Sequence, residues 1–322
     1  MKASGASVKP PVFTPTFPPM RPLLFALALA LPLKAAAQAL PIMAVTTSGQ
    51  RTPGFLVGAE ADGLVISTAP QGGNSAKILF TNIQELNVEE PKGWSPALAR
   101  LNAGNYAEAE ADFAKFAEDY AALIPWKDGY GSLARLYHFK ALKGLGKFSE
   151  LATAMDRQLA KPLVLGDLSK IDFNDLRGWA ILAKGDLLAL QSYLREFEDS
   201  AAPKKVSLQP PFKKELPGRF VACLTYLRGH LHDKQQRQDL ALLDYHTAMT
   251  YNNGSDRMVF ATASLAALKI IAAQATAKPG DAALQKAARS LALTYRDVAA
   301  QGKLPAEFAS FLASPPPEPV AK

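Results

Sequence analysis

Leu101-Asn102-Ala103-Gly104-Asn105-Tyr106-Ala107-Glu108-Ala109-Glu110-Ala111-Asp112-Phe113-Ala114-Lys115-Phe116 is the stretch whose reading decides the fold. Gly104 closes a first helix, because glycine leaves a helix in the left-handed conformation without a Cβ penalty. Tyr106 begins a second helix, on which Ala109, Phe113 and Phe116 recur on one face of a 3.6-residue period. Alanine is small enough for two helices to cross closely, and the aromatic rings fill the groove beside the crossing. The stretch predicts a pair of helices joined by a tight turn.

The same register can be laid on later segments. Gly146-Lys147-Phe148 follows a helix over Tyr130 to Lys143, with Leu151 and Met155 in the alanine and aromatic places and Pro162 near the repeat end. Gly185-Asp186-Leu187 follows Leu176 to Lys184 and places Leu190 and Leu194 there. In a fourth unit a helix over Arg219 to His232 precedes one over Asp239 to Thr250, with Ala241, Tyr245 and Ala248 in register. The order glycine, aromatic, alanine, aromatic resembles the second helix of the tetratricopeptide-repeat family, most clearly from Gly104 to Phe116 and from Ala241 to Ala248. Gly104, Gly146 and Gly185 stand 42 and 39 residues apart, against a family period of about 34, so the expected repeats are irregular. The resemblance implies a mainly α fold over residues 93–313. Stacked αα-hairpins would form a solenoid there, each pair covering the apolar face of the last. Further helices are expected over Arg257 to Ala275, Asp281 to Ala300 and Pro305 to Leu312. Asp281 is a candidate N-cap, and the first of these helices is apolar enough to be buried on much of its circumference.

Residues 40–92 have a different texture. Candidate strands run over Ile42 to Thr47, Phe55 to Ala59, Leu64 to Thr68, Ala76 to Phe80 and Gln84 to Val88, separated by turn-rich segments of which Asp62-Gly63 is the best hairpin signal. Five strands in so short a span predict a small barrel or strongly bent sheet. The Gly54-Phe55-Leu56-Val57-Gly58 and Asp62-Gly63-Leu64-Val65-Ile66 rhythm resembles SH3-like or Sm-like barrels. No aromatic-plus-basic platform for RNA is visible on these strands, and a module that caps the helices or docks a partner is the expectation.

The first 39 residues read as leader and signal peptide rather than fold. Arg21 supplies a positive start, Leu23 to Leu31 an apolar run too short for the roughly 20 residues of a spanning helix, and Ala37-Gln38-Ala39 a small-x-small cleavage site. Met20 is an alternative translation start. Four of the 36 basic residues, Lys2, Lys9, Arg21 and Lys34, lie in this segment, which has no acidic residue, so its removal lowers the net charge from +7 to +3. The basic balance therefore does not point to nucleic acid. The expected location is the periplasm or outer envelope of a Gram-negative-type bacterium. The single cysteine, Cys223, cannot form an internal disulfide and lies in an apolar helical pattern. Residues 314–322 form a Pro-rich tail.

No Gly-x-Ser-x-Gly, His-Glu-x-x-His, P-loop or dinucleotide fingerprint is present. His230 and His232 stand two apart, which on a helix sends them to different sides and separates them as metal ligands. The pairs Glu89-Glu90 and Glu196, Glu198 read as exposed faces. Catalytic, cofactor-binding and metal residues are accordingly expected to be none. Trp126 and Tyr130, flanking the polar Lys127-Asp128-Gly129, are candidate partner-binding residues, since an aromatic in a polar loop can be a hot spot; Trp94 and Trp179 read as packing. The expected function is an exported scaffold that binds another, unidentified protein in its groove and associates with the envelope through partners, without catalysis or cofactor. The alternative is a carbohydrate- or cell-wall-binding protein or enzyme of the periplasm, with the Trp126 to Tyr130 loop stacking on sugar rings beside clustered carboxylates.

Overall fold

The computed structural model describes residues 40–159, 162–200, 210–252, 254–299 and 303–313. The expected leader and signal peptide and the Pro-rich tail lie outside them. The described chain is mainly helical, with one small antiparallel sheet in its N-terminal region.

The sheet comprises β1 (Leu40–Thr46), β2 (Arg51–Ala59), β3 (Gly63–Ser67), β4 (Ser75–Leu79) and β5 (Ile83–Val88), within a few residues of the positions that alternation and turn residues indicate. Their order is β4-β3-β2-β1-β5. A single 3-10 turn, Phe80–Asn82, leads from β4 to β5. Register shifts between Val45 and Thr46 and between Leu56 and Gly58 bend β1 and β2, as an extra residue in one strand increases local twist. The bent sheet gathers Ile42, Ala44, Leu56, Leu64, Ile66 and Ile83 on its inner face. Its core is completed from the helical part by Leu123, fully buried, with Tyr120, Ala122, Trp126 and Tyr130 around it. The change near residue 92 is thus one of secondary structure, not a gap in packing.

Ten α-helices follow among the described residues: α1 (Trp94–Asn102), α2 (Tyr106–Asp119), α3 (Tyr130–Gly144), α4 (Phe148–Leu159), α5 (Asp167–Lys184), α6 (Leu187–Arg195), α7 (Gly218–Lys234), α8 (Gln238–Asn252), α9 (Arg257–Ala277) and α10 (Ala282–Thr294). A π-helical turn over Tyr295–Ala299 and a 3-10 segment over Ala306–Leu312 end the described chain, where a longer α-helix and a short one were expected. Asp281 does cap α10, its carboxylate accepting from the N–H groups of Ala283 and Leu284. α9 is the one described helix long and apolar enough to cross a bilayer. It packs against α7, α8 and α10, and Val259, Ala263, Ala267, Leu268 and Ala275 are fully enclosed.

One turn recurs. A left-handed residue stands between α1 and α2 (Gly104, φ 82°), α3 and α4 (Gly146, φ 71°), α5 and α6 (Gly185, φ 71°), and α7 and α8 (Gln236, φ 61°). At the first, second and fourth of these, three backbone N–H groups fold back on the preceding helix in the same pattern. At the fourth, Gln235 donates to Leu231, Gln236 to Asp233 and Arg237 to His232, which satisfies carbonyls that the helix end leaves open. Five and nine positions after each left-handed residue lie Ala109 and Phe113, Leu151 and Met155, Leu190 and Leu194, and Ala241 and Tyr245, all at most 5% exposed. Ala248 is likewise buried, whereas Tyr106 and Phe116 are half-buried and pack against the Trp94 cluster. Gly144 on α3 leaves room for the ring of Tyr106, whose atoms would lie 2.5 Å from any Cβ there. The buried positions thus keep a constant offset from the left-handed residue, although the left-handed residues themselves are unevenly spaced.

α5 begins at Asp167, nine residues before the Leu176 start read from the sequence. Asp172 and Asp175 interrupt the apolar period in its first half. The reason is where those carboxylates go.

Candidate functional site

The first helix of every pair contributes to one open cavity of about 800 Å³. Leu98, Leu101 and Asn102 come from α1, Tyr137, Lys140, Lys143 and Gly144 from α3, Asp172 and Asp175 from α5, Arg219 from α7, and Arg257, Met258 and Ala261 from α9, with Ser255 and Asp256 just before it. Tyr106 of α2 completes the lining.

Its polar side is a network of three cations and three carboxylates. Lys140 Nζ lies 2.5 Å from Asp172 Oδ2, and Arg219 meets the other oxygen of the same carboxylate at 2.5 Å. Lys143 Nζ lies 2.6 Å from Asp175 Oδ2 and 2.7 Å from Asp256 Oδ2. Lys140 and Lys143 are three apart on α3, as Asp172 and Asp175 are on α5, so a helical period turns two sequence pairs into two parallel rungs. Asp256 is also the N-cap of α9, its Oδ1 accepting from Met258 and Val259. Burial works against the charge on Lys143, but the two carboxylates outweigh it and hold the ammonium above the usual lysine range. Burial likewise tends to raise Asp256, but Lys143 and the two N–H groups outweigh it and lower its carboxyl. Burial, then the Asp172 and Asp128 carboxylates, raise the phenol of Tyr137, which stays protonated and able to donate. The six charges cancel. The more accessible members are the cations Arg219 (46% exposed) and Lys140 (31%), with Asp172 at 14% beneath them.

Beside this network the lining is completed by Tyr106, Tyr137, Leu98, Leu101 and Met258, the Lys140 ammonium lying 5.3 Å from the centroid of the Tyr137 ring. Such a surface suits an extended ligand with both apolar and hydrogen-bonding groups, and it holds no nucleophile paired with a base.

The residues singled out from sequence lie elsewhere. Trp126 is half-buried against the sheet, its ring centroid 6.3 Å from that of Phe80, and Tyr130 sits edge-on to Trp94 at 4.9 Å. Both join the sheet to the helices, and neither lines the cavity. Their loop is fastened by Asp128, left-handed at φ 51°, whose carboxylate accepts from the Gly166 N–H at 2.9 Å. Trp94 and Trp179 are core residues, Trp179 stacking between Phe148 and Tyr226. His232 donates from Nδ1 to Asp244 Oδ2 at 2.9 Å, beside Arg228 on the same carboxylate. No cluster of three metal-ligating side chains occurs among the described residues. Cys223 is enclosed, its thiol pushed well up by burial.

None of the six network residues was singled out in the sequence. The available signals were the paired i, i+3 spacing of Lys140 with Lys143 and of Asp172 with Asp175, and the capping pattern Ser255-Asp256 ahead of an apolar run.

No known protein family, curated protein or solved structure matches the chain.

Proposed function

We propose that this chain is an exported scaffold of the tetratricopeptide-like kind, with an SH3-like module at its front, that binds a segment of another protein in the cavity lined by α1, α3, α5, α7 and α9. One observation carries the reading: α1, α3, α5, α7 and α9, the first helix of each pair, all contribute side chains to a single cavity. The repeated left-handed turn and the buried positions that follow it support helix pairs stacked in one direction. The strand order and the 3-10 turn before β5 support the SH3-like description, and the sheet's dependence on Leu123 fits a cap on the array. The exported location rests on the composition of residues 1–39.

The carbohydrate reading asks for a polar pocket with clustered carboxylates beside the Trp126 to Tyr130 loop; the cavity's carboxylates stand instead among Tyr106, Tyr137 and Met258, each paired with a cation, which favours the scaffold reading. Co-purification from envelope extract tests the proposal. A partner retained by the parent protein and lost from the Tyr137→Ala, Met258→Ala double variant is the expected result. Equal recovery by both, or turnover of a defined substrate with no partner recovered, overturns it.

A further inference from the structure

The packed route from α3 to α9 passes through α5 and α7, and α3 and α9 themselves barely meet. One side chain nevertheless joins them. Lys143, in the last turn of α3, reaches Asp256 at the N-cap of α9, 113 residues away, while also holding Asp175 of α5. The Lys143 side chain is only 10% exposed. Asp256 is aimed rather than free, because its other oxygen is fixed by the first-turn N–H groups of α9, whose own partial positive charge favours a carboxylate there.

The position of this contact matters because of what flanks it. Leu101 and Tyr137 lie on the α3 side of the cavity and Met258 and Ala261 on the α9 side. The separation of these two walls is thus tied across by an ion cluster, with no continuous apolar contact between α3 and α9 themselves. Parting the pair exchanges it for hydration of both charges, which the open cavity beside it can supply.

We propose that Lys143 is a latch: engaged with Asp256 it fixes the width of the cavity, and released it lets α9, together with the α7 and α8 against which it packs, move away from α3 and open the cavity. The latch does not depend on which ligand the cavity takes.

The test uses the full chain with spin labels on cysteines introduced by Ala99→Cys on α1 and Lys269→Cys on α9, both exposed positions; the enclosed Cys223 does not compete for label. Asp256→Ser removes the carboxylate but keeps a capping oxygen for α9, and Lys143→Gln removes the other partner. The expected result is a new distance population in both variants, longer than in the parent by on the order of 5 Å, the scale of one helical turn, with helicity unchanged by circular dichroism. A distance distribution identical to the parent in folded Asp256→Ser overturns the proposal. Loss of folding in that variant overturns it as well, since a latch separates two folded arrangements and does not hold the fold together.

Discussion

Two seams tie distant parts of this chain together, and their chemistry is opposite. At the sheet, Leu123 enters the inner face of β1, β2, β3 and β5 with Tyr120 and Trp126 beside it, an apolar seam with no charge inside. At the cavity, Lys143 joins α3 to α5 and to the cap of α9 through two carboxylates. An apolar seam loses contacts wherever it opens and gains nothing from water. An ionic seam exchanges its partners for hydration, so its strength depends on pH and on how far its walls can part. The first seam is built to stay shut. The second is conditional, and it borders the cavity.

The comparison can be broken most severely at Leu123. Leu123→Ala is expected to cost about 3 kcal/mol, because truncating this fully buried side chain leaves a cavity in the apolar core of the sheet; urea unfolding followed by circular dichroism measures this, with the sheet amides losing hydrogen-exchange protection first. Lys143→Met should cost less, about 2 kcal/mol, below the range for a buried pair that cannot relax, because parting of the walls lets water onto Asp175 and Asp256.

Acid sharpens the contrast. The folded carboxyl of Asp256 is lowered, so its contribution is present at neutral pH and is lost as pH falls through its folded value, below the ordinary carboxylate range near 3.8. Lys143 is raised, so its contribution persists to above the ordinary lysine value of 10.5. The parent should therefore lose stability below about pH 4. In Lys143→Met the uncompensated carboxylates are relieved by protonation, so the deficit relative to the parent shrinks as pH falls. Leu123→Ala should show a pH-independent deficit. Melting temperatures of the three proteins from pH 3 to 8 check this.

The smallest effect concerns the recurring turn. Gln236 occupies the left-handed position that glycine fills at 104, 146 and 185, so Gln236→Gly is expected to raise stability by about 0.5–1 kcal/mol, the relief of a side chain in that region less the added freedom of the unfolded chain. Gly146→Ala, by the same reasoning, should lower stability by about 1 kcal/mol.

That turn also shows how far the sequence could be read. Where glycine marked it, as at Gly104, the register of Ala109 and Phe113 followed from spacing alone. At Gln236 nothing local announced a left-handed residue, and the fourth unit was legible only through Ala241 and Tyr245, whose burial preserves the period. The strands were legible because alternation and turn residues act over a few positions. The cavity was not, because its ion pairs join residues 32, 47 and 113 apart, and the same carboxylates that build it blurred the start of α5. Trp126 and Tyr130 read as candidate partner-binding residues because they flank the polar Lys127, Asp128 and Gly129; the apolar surface they pack against belongs to the strands of residues 40–88.

The proposed partner-binding face is tested most directly by site-specific photocrosslinking in the native cells. A photoreactive phenylalanine analogue would replace Tyr137 in the cavity, or Leu188 on α6, which is 77% exposed and outside the cavity. The expected result is a discrete protein adduct from position 137 and none from position 188. Adducts from position 188 with none from position 137 would contradict the cavity as the binding face.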